Sequence, residues 1–194
     1  MKRMLSIVLG LLIISTAAVA DDKENAEALL KIKIDAAIEV LKKKETDIQV
    51  KNQKILEIVA PIFDFPLMAK LALGREFWPG LSEDEKKKYT VLFTERLKAS
   101  YLQKLSLYTD EEVTYKTPVH DGRKVQIPTA LISKGEIISM LYKMYESGQG
   151  WKIYDVEIQG VSIISTYRSQ FKEILANGTI DDLLQKLEKP ENNS

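Results

Sequence analysis

The chain has 194 residues, 45% apolar and 29% charged, a balance that can bury one substantial core, alone or with an appended helical subdomain. Its 28 Lys+Arg and 28 Asp+Glu cancel, which argues against a nucleic-acid binder working through bulk charge. One His and no Cys exclude zinc fingers, disulfide scaffolds, thiol nucleophiles and iron–sulfur ligation.

The first twenty residues read as an address. Met1-Lys2-Arg3 is positive, Leu5 to Ile14 is apolar apart from Ser6 and Gly10, and Ala18-Val19-Ala20 precedes Asp21-Asp22. This is the layout of a cleaved secretory signal peptide, and the apolar run is too short for a membrane span. The mature chain is expected to start at Asp21, with 26 basic and 28 acidic side chains and a net charge of −2. It is expected to be soluble and to work outside the cytoplasm, where a chain without Cys has no thiol to oxidise.

Helices come next. From Glu24 to Lys44 the apolar residues Ala26, Leu29, Leu30, Ile34, Ala37, Ile38 and Leu41 fall on one helical face. A second helix spans Ile48 to Val59 and stops before Pro61. Asp64 can cap a third, with Pro66 in its first turn and Gly74 at its end. Ser82-Glu83-Asp84-Glu85 is a capping box opening a long helix through Tyr89, Leu92, Phe93, Leu97, Tyr101, Leu105 and Tyr108.

After Asp110 the period changes to two. Val113–Tyr115, Val125–Ile127, Ile138–Met144 and Tyr154–Ile158 read as four strands. The turn signals between them, including His120-Asp121-Gly122, make an antiparallel meander. Pro128 puts its strand at an edge or at a bulge, and a bulge would shift the apolar phase to Ala130 and Ile132. Helices return at about Ser165–Ala176 and from Thr179, paired with Asp182, to Lys189, with Pro190–Ser194 a tail. The expected fold is α+β: a helical part (about 24–109), a curved four-stranded sheet (about 111–164) and C-terminal helices (about 165–189) in a single domain.

Chemistry is sparse. Phosphate-loop, dinucleotide, zinc-protease and serine-hydrolase motifs are absent. His120 sits in a predicted turn, a poor place for a general base. Asp155 and Glu157 share a strand face as catalytic carboxylates might, but ion pairing explains them equally well. Lys42–Lys44 and Lys86–Lys88 read as solvated helix faces. Arg75 and Arg168 lie among aromatics, so each is a structural contact or an anion contact. The unusual feature is a surplus of large, adaptable apolar groups around the sheet, which can form a packed core or line a cavity.

Three separated stretches carry a resemblance. They are Pro61-Ile-Phe-Asp-Phe-Pro-Leu-Met-Ala-Lys-Leu-Ala-Leu-Gly-Arg-Glu-Phe-Trp78, Gly150-Trp-Lys-Ile-Tyr-Asp-Val-Glu-Ile-Gln-Gly-Val-Ser-Ile-Ile164 continued by Tyr167-Arg-Ser-Gln-Phe171, and Ile180-Asp-Asp-Leu-Leu184. Together, from about Asn25 to Lys189, the chain resembles the MlaC family of ABC-transporter auxiliary, or toluene-tolerance, proteins. The resemblance implies a nuclear-transport-factor-two-like sheet and a periplasmic phospholipid carrier, with acyl tails in an apolar cavity and the headgroup near solvent. It implies docking to an inner-membrane ABC transporter complex carrying an MCE-domain protein and to an outer-membrane lipoprotein–porin complex. It also places Val161-Ser162-Ile163 at the border of the tail cavity.

On this reading the candidate lipid-binding residues are Phe65, Met68, Leu71, Phe93, Leu97, Tyr101, Tyr115, Ile127, Met140, Tyr142, Met144, Tyr154, Val156, Val161, Ile163 and Tyr167. No catalytic residue, metal or cofactor is expected; the phospholipid is cargo. Any ATP hydrolysis falls to a partner, because this chain has no phosphate loop. The alternatives are a periplasmic chaperone whose apolar face binds polypeptide, and an enzyme built on the same fold.

Overall fold

Local capping chemistry sets where the helices begin and end. A computed structural model describes residues 18–43, 47–105, 112–133 and 135–189. Within it α1 spans Ala18–Leu41, α2 Ile48–Val59, α3 Phe65–Leu73, α4 Glu83–Leu105, α5 Ile163–Asn177 and α6 Ile180–Glu188. The Asp64 side chain accepts from the Leu67 N–H at 2.9 Å and starts α3, which ends at Gly74 with φ of 86°. At α4 the Ser82 N–H donates to Glu85 at 2.7 Å and the Glu85 N–H donates back to Ser82 Oγ at 3.3 Å. Thr179 and Asp182 repeat this reciprocal box at α6. Residues 1–17 of the expected signal peptide (1–20) and the tail 190–194 lie outside the described residues.

The sheet has six antiparallel strands rather than four: β1 Glu112–Tyr115, β2 Val119–Asp121, β3 Lys124–Ser133, β4 Glu136–Ser147, β5 Gly150–Ile158 and β6 Val161–Ser162. The order is β1-β3-β4-β5-β6, with β2 also paired to β3. His120 lies in β2 opposite Val125, and the turn falls one step later, where Gly122 takes φ of 57°. A turn-forming Gly can follow a strand directly, so Asp-Gly drew the expected turn too early.

Pro128 does not bulge its own strand, because β3 pairs with β4 without a slip from Lys124 to Ser133. The break is in the neighbouring strand: Tyr115 faces Thr129 and Val119 faces Gln126, so β1 and β2 are out of step by one residue. The missing donor of Pro128 falls at that break. The apolar phase therefore does not move to Ala130 and Ile132: Val125, Ile127, Thr129 and Leu131 alternate onto one face. The register slip that does occur lies in β5, where Lys143 pairs Asp155 and Met144 pairs Ile153, leaving Tyr154 as the extra residue.

The main core joins α3, α4, α5 and α6 to the sheet. Tyr89, Phe93, Tyr167 and Phe171 form its centre, with Phe93 and Tyr167 edge to face at 5.3 Å. A separate small cluster of Val40, Leu41 and Ile55 holds the α1–α2 hairpin together. Arg168 on α5 donates from Nε to the Leu71 carbonyl at 2.8 Å, tying α5 to the end of α3. Asp155, 6% exposed, accepts from Ser162 Oγ at 2.8 Å and the Ile164 N–H at 3.3 Å, and pairs with Lys143 at 3.2 Å. Glu157 also pairs with Lys143, so the two carboxylates hold a lysine and the start of α5.

Asp155→Ala leaves the Ile164 N–H and one side of Lys143 unpaired. Loss of about 2–4 kcal/mol of unfolding free energy is expected in urea titration, since an orphaned buried group forfeits its solvation. A loss below about 0.5 kcal/mol would show that this knot does not hold β5 to α5.

Candidate apolar binding site

Between the α1–α2 hairpin and the sheet the structure leaves a cavity of about 400 Å³. Twenty-one of the twenty-six residues lining it are apolar, and the others are Lys33, Lys98, Thr129, Tyr142 and Gln159. Leu30, Ile34, Ala37, Ile38 and Leu41 come from α1, and Ile55, Leu56 and Val59 from α2. Phe63, Phe65 and Met68 close one end, with Phe63 and Phe65 stacked at 5.6 Å. The sheet supplies Val113, Leu131, Ile138, Met140, Ile153, Val156 and Ile158. Such a wall attracts apolar ligands by burial and offers few polar groups to orient them.

Seven of the sixteen candidate residues meet on this cavity: Phe65, Met68, Leu97, Met140, Tyr142, Val156 and Ile163. The other described candidates lie elsewhere. Phe93, Tyr167, Ile127 and Met144 are packed in the core, and Leu71 packs against it. Tyr154, displaced by the bulge, packs edge to face on Tyr145 at 6.1 Å with Lys124 over its ring. Tyr115 donates its hydroxyl to Asp35 at 3.2 Å, beneath Lys31. Val161 is 60% exposed on β6. The Tyr101 side chain lies outside the described residues.

The part of the wall that α1 and α2 supply was missed as cavity. Its signal was present in the apolar stripe of α1, which is wider than a helix pairing with α2 alone requires. Among the described residues no group of three His, Asp or Glu side chains stands close enough to hold a metal ion. No described helix is long and apolar enough to cross a membrane.

The family model for MlaC protein matches residues 31–189. The chain belongs to the MlaC family. The fold of this MlaC-family chain is similar to a solved structure of a phospholipid-binding protein from Ralstonia solanacearum in complex with a phospholipid. The TM-score is 0.76 at 26% identity, covering 84% of this chain and 95% of the other.

Burial pushes the Tyr142 phenol up to about 12. Tyr89 and Tyr115 are raised as well, chiefly by burial, and Asp35 adds to the effect at Tyr115. In the unfolded chain Tyr142 loses its proton near pH 10, about two units earlier than in the fold. The folded state thus binds the extra proton in this window, so the Tyr142 contribution to stability is flat below about pH 10 and falls as pH rises toward about 12. Tyr142→Phe should remove a share of that fall worth about 1.4 kcal/mol per pH unit. Urea midpoints compared between pH 8 and 11 check this; parallel curves for the two proteins would refute it.

Proposed function

We propose that this protein binds a phospholipid with its acyl chains in the cavity between the α1–α2 hairpin and the sheet, and carries it through the periplasm. The supporting observation is the apolar cavity itself, in a chain whose fold is similar to a protein solved with a phospholipid bound. Burial is worth about 0.8 kcal/mol per CH₂, so two tails of about sixteen carbons disfavour free lipid in water by roughly 25 kcal/mol. A carrier must offer an apolar surface that offsets this term, and Met68, Met140 and the stacked phenylalanines can adapt to mixed chains. The two charged side chains on the wall, Lys33 and Lys98, are both cationic and suit an anionic head, although Lys98 is already paired with Glu95 at 3.2 Å. Lys98 lies over the Phe65 ring at 5.4 Å, with its charge at the wall's edge.

Binding and hand-off need no bond-breaking groups, so the protein acts as a carrier rather than an enzyme. Cargo exchange with an inner-membrane ABC transporter complex carrying an MCE-domain protein, and with an outer-membrane lipoprotein–porin complex, completes the proposed route. Export requires cleavage after Ala20, and N-terminal sequencing of the protein from the periplasm is expected to start at Asp21. Intact Met1 in that fraction would overturn the export argument.

Organic extraction and mass spectrometry of the purified protein test the cargo: near-stoichiometric phospholipid is expected, and co-purifying peptide without lipid would favour a chaperone. Val156→Glu places a carboxylate among the tails at a cost of several kcal/mol, so lipid content should fall at least about tenfold. Val161→Glu, on an exposed position, should leave it unchanged. Each comparison is read on variants with wild-type circular dichroism. A folded Val156→Glu protein with a full lipid complement would place the tails elsewhere.

A further inference from the structure

One hydroxyl on the cavity wall, that of Tyr142, has only a weak acceptor within reach in the fold. Alternation along β4 aims Met140 and Tyr142 at the cavity, and the cross-strand neighbours of Tyr142 are Ile127 and Val156. Its hydroxyl reaches only the Met140 thioether, at 3.8 Å. Sulfur is a weak acceptor, and a hydroxyl covered by acyl chains is costly without a good one. Phenylalanine would fill the same space without that cost.

The surroundings show where this hydroxyl lies along a bound ligand. Tyr115 is tied through Asp35 to α1, at the exposed border of the hairpin. Tyr142 lies close enough to oppose ionisation of Tyr115. Across the sheet Tyr115, Thr129 and Met140 share one row, and Tyr142 stands on the same face two residues along β4, between Ile127 and Val156. Asp35 and Tyr115 lie off the cavity, so Tyr142 is the member of this polar group that faces it, and the wall also holds Val156, Ile153 and Met68. A diacyl lipid with its tails in this cavity carries its ester carbonyls next to those tails, and apart from its head they are the acceptors it brings.

We propose that the Tyr142 hydroxyl donates a hydrogen bond to an ester carbonyl oxygen of the bound lipid, so that the cavity prefers acyl esters to ether-linked chains of equal length. This rests on the phospholipid-binding reading above and adds the group that recognises the linkage. A carbonyl is the acceptor that the thioether is not, and a dialkyl ether lipid carries none. The neutral phenol is the donor throughout the physiological range, since burial keeps its proton in place.

The test uses delipidated full-length mature protein and two chain-matched probes, dioleoyl phosphatidylglycerol and its dioleyl ether analogue, competing from mixed vesicles. One net hydrogen bond corresponds to about a fivefold preference, so the wild-type protein should take up the ester lipid about fivefold over the ether. Tyr142→Phe should bring ester uptake down to the ether level and leave ether uptake unchanged, while melting no earlier than wild type in the lipid-free state. Equal uptake of both probes by the wild-type protein overturns the proposal, as it would if an ordered water were the partner. A preference that survives Tyr142→Phe also overturns it, with phospholipid binding left standing. If the wild-type protein takes up neither probe, the phospholipid reading itself falls.

Discussion

A void that close packing leaves unfilled is the constraint on which the rest of this structure depends. Protein interiors are packed like organic crystals, and engineered core cavities cost about 24 cal/mol per Å³. The 400 Å³ between hairpin and sheet is partly open, and its lining lacks the packing partners that a closed core would supply. The frame must therefore be stable without its contents. The side chains at the back of the molecule are arranged to that end: the aromatic cluster of Tyr89, Phe93, Tyr167 and Phe171, the Arg168 link and the Asp155 knot all lie off the cavity.

The front is built differently. The α1–α2 hairpin has only Val40, Leu41 and Ile55 as its own buried cluster, and two of these also line the cavity. Its apolar stripe is shared between holding the hairpin together and facing the void. The N-terminal part of α1 is anchored through Ala26 and Leu30 in the main core, and the end of α2 is anchored through the short helical turn at Ala60–Ile62. Phe63 bridges to Ile153, and the Asp64 N–H donates to the Ile153 carbonyl at 2.9 Å, so this turn covers the open edge of β5. The wall is thus fixed at its ends and carries little core along its middle.

Much of this was legible in the sequence where the determinant is local. The Ser82–Glu85 and Thr179–Asp182 boxes, Asp64 before Pro66, and Gly74 each act within four residues, and each helix begins or ends where they place it. Strand count was less legible. β6 is two residues long, and Asp121-Gly122 reads as a turn although His120 is already paired. The difference between core and cavity was not legible at all. Met140 and Met144 alternate in phase on β4, yet one borders the void and the other is fully buried, because only the placement of other elements decides what covers each. Tyr154 shows a second limit: a single extra residue in β5 carries it out of phase with Val156, and no local pattern marks the bulge.

The composition of the wall separates possible cargoes on physical grounds. A polypeptide brings an N–H and a C=O with every residue, and each buried group needs a partner. The cavity offers five polar side chains against twenty-one apolar ones, and none of the five is a carboxylate or carboxamide except Gln159. A buried peptide strand would leave most of its backbone groups unpaired, and the strands of the sheet that face it already spend theirs on one another. Acyl chains bring no such groups. Their polar atoms are concentrated at one end, and the wall's polar atoms are few, mostly donors, and include Lys33 and Lys98, the latter paired with Glu95 at 3.2 Å. The match between a molecule polar at one end and a cavity apolar over most of its length is what favours lipid over peptide as the proposed cargo.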